Sequence, residues 1–123
     1  MRLVGILFLS LLCYSGMAQS KYLKIAGDWE GTINAGSKPL KVVFHIKYED
    51  AQVSATLDTP DRNAYGLKVD EISFVDGVLK MKSNIVNGSY EGIVNNNKVE
   101  GKWSQAGQSF ELNLSKKLKK GAS

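Results

Sequence analysis

The 123 residues include few side chains able to do chemistry. A serine hydrolase needs its nucleophile on a strained strand-to-helix elbow, Gly-x-Ser-x-Gly, with a histidine and an acid elsewhere. The nearest approach is Gly107-Gln108-Ser109-Phe110-Glu111, which ends in glutamate and sits where a hairpin enters a strand. His45 is the single histidine. Alternation with Phe44 and Ile46 turns it away from the apolar side, so it reads as ordinary strand surface rather than a general base. Asp58, Asp61, Asp70 and Glu71 gather around Pro60, where a weak calcium site is conceivable, although aspartate beside proline is also plain turn chemistry. Asn87-Gly88-Ser89 and Asn113-Leu114-Ser115 match the glycosylation sequon, which is inert in an exported bacterial protein. The sequence therefore predicts no catalytic residue, no metal centre and no cofactor.

Cys13, the one cysteine, lies in a segment unlike the rest. Arg2 is followed by a nearly unbroken apolar run from Leu3 to Cys13, then by Gly16-Met17-Ala18. A positive start, a short apolar stretch and small residues at −3 and −1 are the pattern of a cleavable secretory signal, residues 1–18. The run is shorter than the roughly 20 apolar residues of a membrane span. Leu12 stands where a lipobox would put a small residue, so a lipid anchor on Cys13 is disfavoured. The mature chain then has neither a disulfide nor a thiolate, and its hydrophobic core alone must hold it. The expected location is the periplasm or exterior of a Gram-negative bacterium.

The formal charge of +4 suggests a polyanionic partner, but its distribution argues otherwise. Of 16 basic residues, Arg2 leaves with the signal and Lys116, Lys117, Lys119 and Lys120 cluster at the end; 11 remain against 12 acidic residues. A nearly neutral body with a basic tail reads as a solvated chain end, not a nucleic-acid surface.

What must position any site is a set of strands. Leu40, Val42, Phe44, Ile46 and Tyr48 alternate with polar residues, and the same period of two returns from Trp29 to Leu114. Only Lys21 to Ile25, within the lead-in 19–25, suits a short helix. Asp76-Gly77, Asn87-Gly88 and Ala106-Gly107 are expected two-residue hairpin turns, with Glu49-Asp50 and Asn95 to Asn97 as weaker ones. Alternation slips by one between Val69 and Ile72, the mark of a bulge. Consecutive hairpins predict one all-β domain over 26–116: an eight-stranded antiparallel up-and-down, lipocalin-like barrel, closed on itself to hide its edges. Residues 117–123 form the basic tail. Two longer connections, Ala35 to Pro39 and Thr59 to Tyr65, are expected to frame an open end where binding residues cluster. Candidate ligand-binding residues are Trp29, Phe44, Tyr65, Tyr90 and Trp103, with all but Tyr65 also expected in the core.

Trp29-Glu30-Gly31-Thr32-Ile33-Asn34 echoes in Tyr90-Glu91-Gly92-Ile93-Val94-Asn95 and in Val99-Glu100-Gly101-Lys102-Trp103-Ser104. Each copy sets a glycine between large inward residues, where it relieves crowding as a sheet coils.

Over nearly the whole mature chain, an ordered set of motifs resembles the small β-barrel that precedes the catalytic domain of secreted bacterial α/β-hydrolases of the serine-aminopeptidase type. They are Gly27-Asp28-Trp29-Glu30-Gly31-Thr32, Leu40 to Ile46, Ala55 to Asp61, Ser89-Tyr90-Glu91-Gly92 and Gly101 to Gln105. The resemblance implies an accessory module whose relatives carry their chemistry downstream. Gly27-Asp28-Trp29 after Tyr22-Leu23 is also loosely similar to lipocalin-like barrels, which implies a short helical plug and a cation, Lys116, over the tryptophan. Three readings follow: a monomeric, non-catalytic accessory or interaction module for a protein or envelope partner; a carrier of a small apolar ligand, with a cavity between the two longer loops; or a truncated hydrolase.

Overall fold

The computed structural model describes residues 21–36 and 38–118. The expected signal 1–18, Cys13 and the end of the basic tail lie outside the described residues.

A 3-10 turn, η1 (Lys21–Lys24), leads into β1 (Gly27–Ala35), β2 (Lys38–Glu49) and β3 (Gln52–Thr59). A second 3-10 turn, η2 (Pro60–Arg62), precedes β4 (Ala64–Lys68), β5 (Glu71–Val75), β6 (Val78–Ser83), β7 (Gly88–Asn95) and β8 (Lys98–Gln105). The short β9 (Gln108–Glu111) and β10 (Leu114–Lys116) end the described chain. All pairings are antiparallel, in the order β4-β3-β2-β1-β10-β8-β7-β6-β5, with β9 also on β8. No helix among the described residues is long and apolar enough to cross a membrane.

The antiparallel meander is as expected; the closed eight-stranded barrel is not. Ten strands form a sheet that curls without closing, and β4 and β5 are its two unpaired ends. The cause is the slip at Val69. Up to that residue the chain follows β3, with the Val69 amide donating to the Ala55 carbonyl; the next amide, Asp70, donates to Lys82 on the far side of the gap. One extended run thereby becomes two strands bonded to different neighbours. The last run is divided likewise at Leu112-Asn113, where Leu112 still bonds Gly101 before β10 reaches across to β1.

Turn chemistry follows the glycines at two sites and departs from them at two others. Asp76-Gly77 and Ala106-Gly107 both take positive φ, as primed hairpin turns require. The expected Glu49-Asp50 turn is displaced to Asp50-Ala51, both left-handed. Asn87-Gly88 is not a two-residue turn: the connection spans Asn84 to Asn87, closed by Asn87 N–H on the Asn84 carbonyl, and Gly88 already belongs to β7. Gly88 is small for a packing reason, because a Cβ there would overlap the Trp103 indole.

Alternation places Trp29, Phe44, Leu57, Leu79, Tyr90, Val99, Leu112 and Leu114 in one fully buried core. At roughly 1.5–3 kcal/mol per large apolar side chain, this burial is the main force holding a chain with no crosslink. Burial also pushes the Tyr90 phenol well above its ordinary pKa of 10, so it stays a neutral donor to the Leu112 carbonyl at 2.8 Å.

Candidate functional site

The two ends of the curled sheet are finished differently. At the end where β1 begins, Ile25, the residue after η1, is completely buried. The Trp29 indole N–H donates to the Ile25 carbonyl at 2.9 Å, and Lys116 Nζ lies 5.6 Å from the Trp29 ring centroid. Tyr22 stacks on Tyr48 at 6.1 Å beside them. Lys116 thus covers the Trp29 ring, and Ile25 seals its indole N–H from beneath.

The opposite end is open. The longer connection expected over Ala35 to Pro39 is not formed, because strand pairing continues to Ala35↔Lys38 and leaves a tight hairpin turn. Between Ile33 of β1, Leu40 of β2, the Thr59 to Ala64 corner and the β6–β7 turn lies an apolar hollow of about 160 Å³. Trp103, Val42 and Leu57 line it deeply, Leu40 and Leu67 flank it, and Val86 belongs to the β6–β7 turn. Such a volume suits a group the size of benzene, since an apolar cavity of about 150 Å³ takes that ligand. Gln105 holds the hollow's shape. Its carboxamide accepts from the Trp103 indole N–H at 3.0 Å and donates to the Val86 carbonyl, fixing the indole and the β6–β7 turn to one another.

The η2 corner is anchored as firmly. Pro60 presets its first φ, and Asn63, left-handed at φ 57°, donates back to the Pro60 carbonyl at 2.9 Å. Asp61 accepts from the Lys41 amide at 2.8 Å, and Asp58 accepts from the Gly66 amide at 2.7 Å. Asp70 serves elsewhere, on the Asn84 amide. Asp58, Asp61 and Asp70 thus disperse into separate backbone contacts. Among the described residues, no three His, Cys, Asp or Glu side chains group as metal ligands.

Asp58 has a second task. Register sets Asp28 directly opposite His45, while Asp58 is two positions beyond the β3 partner of His45. The imidazole is bracketed: Nδ1 lies 2.7 Å from Asp28 and Nε2 2.7 Å from Asp58. Partial burial pulls its pKa down, but the hydrogen bonds to Asp28 and Asp58 and their negative charges outweigh this and hold it above 6.5. Burial likewise raises Asp58, and the Gly66 amide together with His45 overcomes that and holds it below 3.8. Two flanking acceptors favour a ring with both nitrogens protonated. The clip therefore ties β1, β2, β3 and the first residues of β4 together on the outer face, behind the wall of the hollow. Each imidazole nitrogen is matched to a carboxylate, and Ser109 bonds Ser104 at 3.1 Å on another part of the sheet.

Of the aromatic candidates, Phe44 packs on Tyr90 at 5.7 Å and on Trp103 at 6.4 Å, forming one buried cluster. Only Trp103 reaches the hollow. Trp29 is enclosed at the plugged end, and Tyr65 lies on β4 exposed to solvent. Sequence reasoning missed Arg62, at the rim of the hollow, and the pairing of His45 with two aspartates. A surface arginine in a corner carries no periodic signal. The carboxylates meet His45 only through cross-strand register.

Comparison with family models, curated proteins and solved structures returns no match to this chain.

Proposed function

We propose that this protein is an exported, non-catalytic binding module that holds a small apolar group in the hollow at the open end of its curled sheet. The observation that carries this reading is the hollow itself: apolar, floored by a tryptophan and bordered by the Pro60 corner and the β6–β7 turn. About 160 Å³ is well below the 300–1,000 Å³ of sites for drug-sized ligands, so the group is compact, a small ring or a short branched chain. The non-catalytic half of the reading is supported by His45, whose nitrogens both face carboxylates, and by Ser109, whose hydroxyl partner is another serine.

The two tryptophans supply an internal control. Titrating the labelled protein with benzyl alcohol should shift the Trp103 indole N–H resonance and leave that of Trp29 in place. Equal movement of both, or of neither, would overturn the reading.

A second reading, an accessory module that docks on a protein, is favoured by one feature. Val75, Val78 and Ile93 stand in register across the outer face of β5, β6 and β7. Val75 is 54% and Ile93 64% exposed. If Ile93→Lys abolishes binding to a protein partner while benzyl alcohol still shifts Trp103, this second reading is favoured.

A further inference from the structure

We infer that Arg62 makes the hollow selective for small hydrophobic carboxylates, a ligand class that rests on the binding-module reading above. Arg62 lines the hollow's opening from η2 and is exposed there. Among the described residues, the ion pairs are Lys41 and Lys117 with Glu30 and His45 with Asp28 and Asp58, so Arg62 has no acidic partner. Its neighbour Asp61 is turned to the Lys41 amide, and Asp58 is held by His45 and Gly66. Both nearby carboxylates are thus engaged away from the guanidinium.

The corner that presents Arg62 is fixed at four points: Pro60, the Asn63 amide, Asp61 and Asp58. A corner whose backbone is already held loses less entropy on binding than a free loop does. A guanidinium offers two parallel N–H donors matched to the two oxygens of a carboxylate. Thr59, half-buried at the same rim, adds a hydroxyl. A single cation favours a monoanion, because a phosphate dianion would leave one charge unneutralised beside an apolar mouth. The ligand that fits is therefore an apolar body of about six carbon atoms with one carboxylate directed at η2.

The test compares benzoate, benzyl alcohol and benzylamine by calorimetric titration of the whole protein and of Arg62→Gln. Benzoate should bind at least about tenfold more tightly than benzyl alcohol, the scale of a hydrogen bond to a charged group, with benzylamine weakest. Arg62→Gln should bring benzoate down to the level of benzyl alcohol and leave benzyl alcohol unchanged; added salt should weaken benzoate alone. Equal binding of benzoate and benzyl alcohol to the unmodified protein overturns the role of Arg62 and leaves the apolar hollow standing. Failure of all three to bind, with the Trp103 resonance unmoved, overturns both.

Discussion

Trp29 opens the first copy of the repeated strand motif and Trp103 stands at the fifth position of the last, both inward, yet one end of the sheet closes over its tryptophan and the other leaves a space. Trp29 is fully enclosed by Ile25 and Lys116, while Trp103 is 5% exposed beneath the hollow. The difference lies in what the chain adds at each end. At one, Ile25 just after η1 and the Lys116 ammonium cover the indole; at the other, the Pro60 corner and the β6–β7 turn leave the hollow beside the ring. The same side chain is therefore a structural pillar at one end and the floor of the hollow, the proposed binding site, at the other.

Truncation of each tryptophan breaks this contrast most directly. Both remove a large buried ring, at about 3–5 kcal/mol. Trp29→Ala should lie at the upper end of that range, because the plug fixed to its indole is lost with it, and should abolish a cooperative thermal melt. Trp103→Ala should lie at the lower end, since the ring already borders empty space, and should enlarge the hollow so that naphthoate competes with benzoate. Equal melts, or an unchanged ligand size limit, would erase the distinction between the two ends.

Gly88→Ala probes the floor without removing it. The added methyl must displace the Trp103 indole, and overpacking of this kind costs about 1–3 kcal/mol. Thermal stability should fall and benzoate binding should weaken, while the Trp29 indole resonance stays put. At the plugged end, Lys116→Gln removes the cation over Trp29 and should lower stability by about 0.5–1 kcal/mol with benzoate affinity unaltered.

The smallest effect is expected from pH. The pKa of His45 is raised in the folded protein, so its contribution is complete below its unfolded value of 6.5 and is lost as pH rises through the folded value. Asp58 is lowered, so its contribution is present above 3.8 and is lost as pH falls through its folded value. The clip is therefore strongest between those two ordinary values. Solvent reaches a third of the imidazole, which limits its worth to about 0.2–1 kcal/mol. Exchange of the Gly66 amide should quicken from pH 6 to 9 beyond its intrinsic rise, and His45→Gln should remove the excess. An unchanged excess in that variant would separate the clip from the wall.

Much of this was legible in the sequence because alternation is local. Period two set Phe44, Tyr90 and Trp103 inward and His45 outward, and the slip after Val69 marked where the chain changes neighbours. Failures occurred where the deciding contact lies far along the chain. Gly88 carries the Asn-Gly signature of a turn, but its smallness answers to Trp103. No slip announces the division at Asn113, since Phe110, Leu112 and Leu114 all keep to the inward face. His45 looks isolated until register brings Asp28 and Asp58 to its two nitrogens. Arg62 acquires meaning only from the hollow beside it.

The pairing of β1 with β10 has a kinetic consequence. Other pairings between neighbouring strands join segments close in sequence, so the hairpins can nucleate independently and quickly. Trp29↔Lys116 and Glu30↔Ser115 instead bring together residues from opposite ends of the folded chain, and that long loop must be closed before the pairing repays it. Latching β10 onto β1 is thus the slow, late event of folding, and it drags Lys116 over Trp29 as it happens. During synthesis, the sheet stays unlatched until the final strand has emerged.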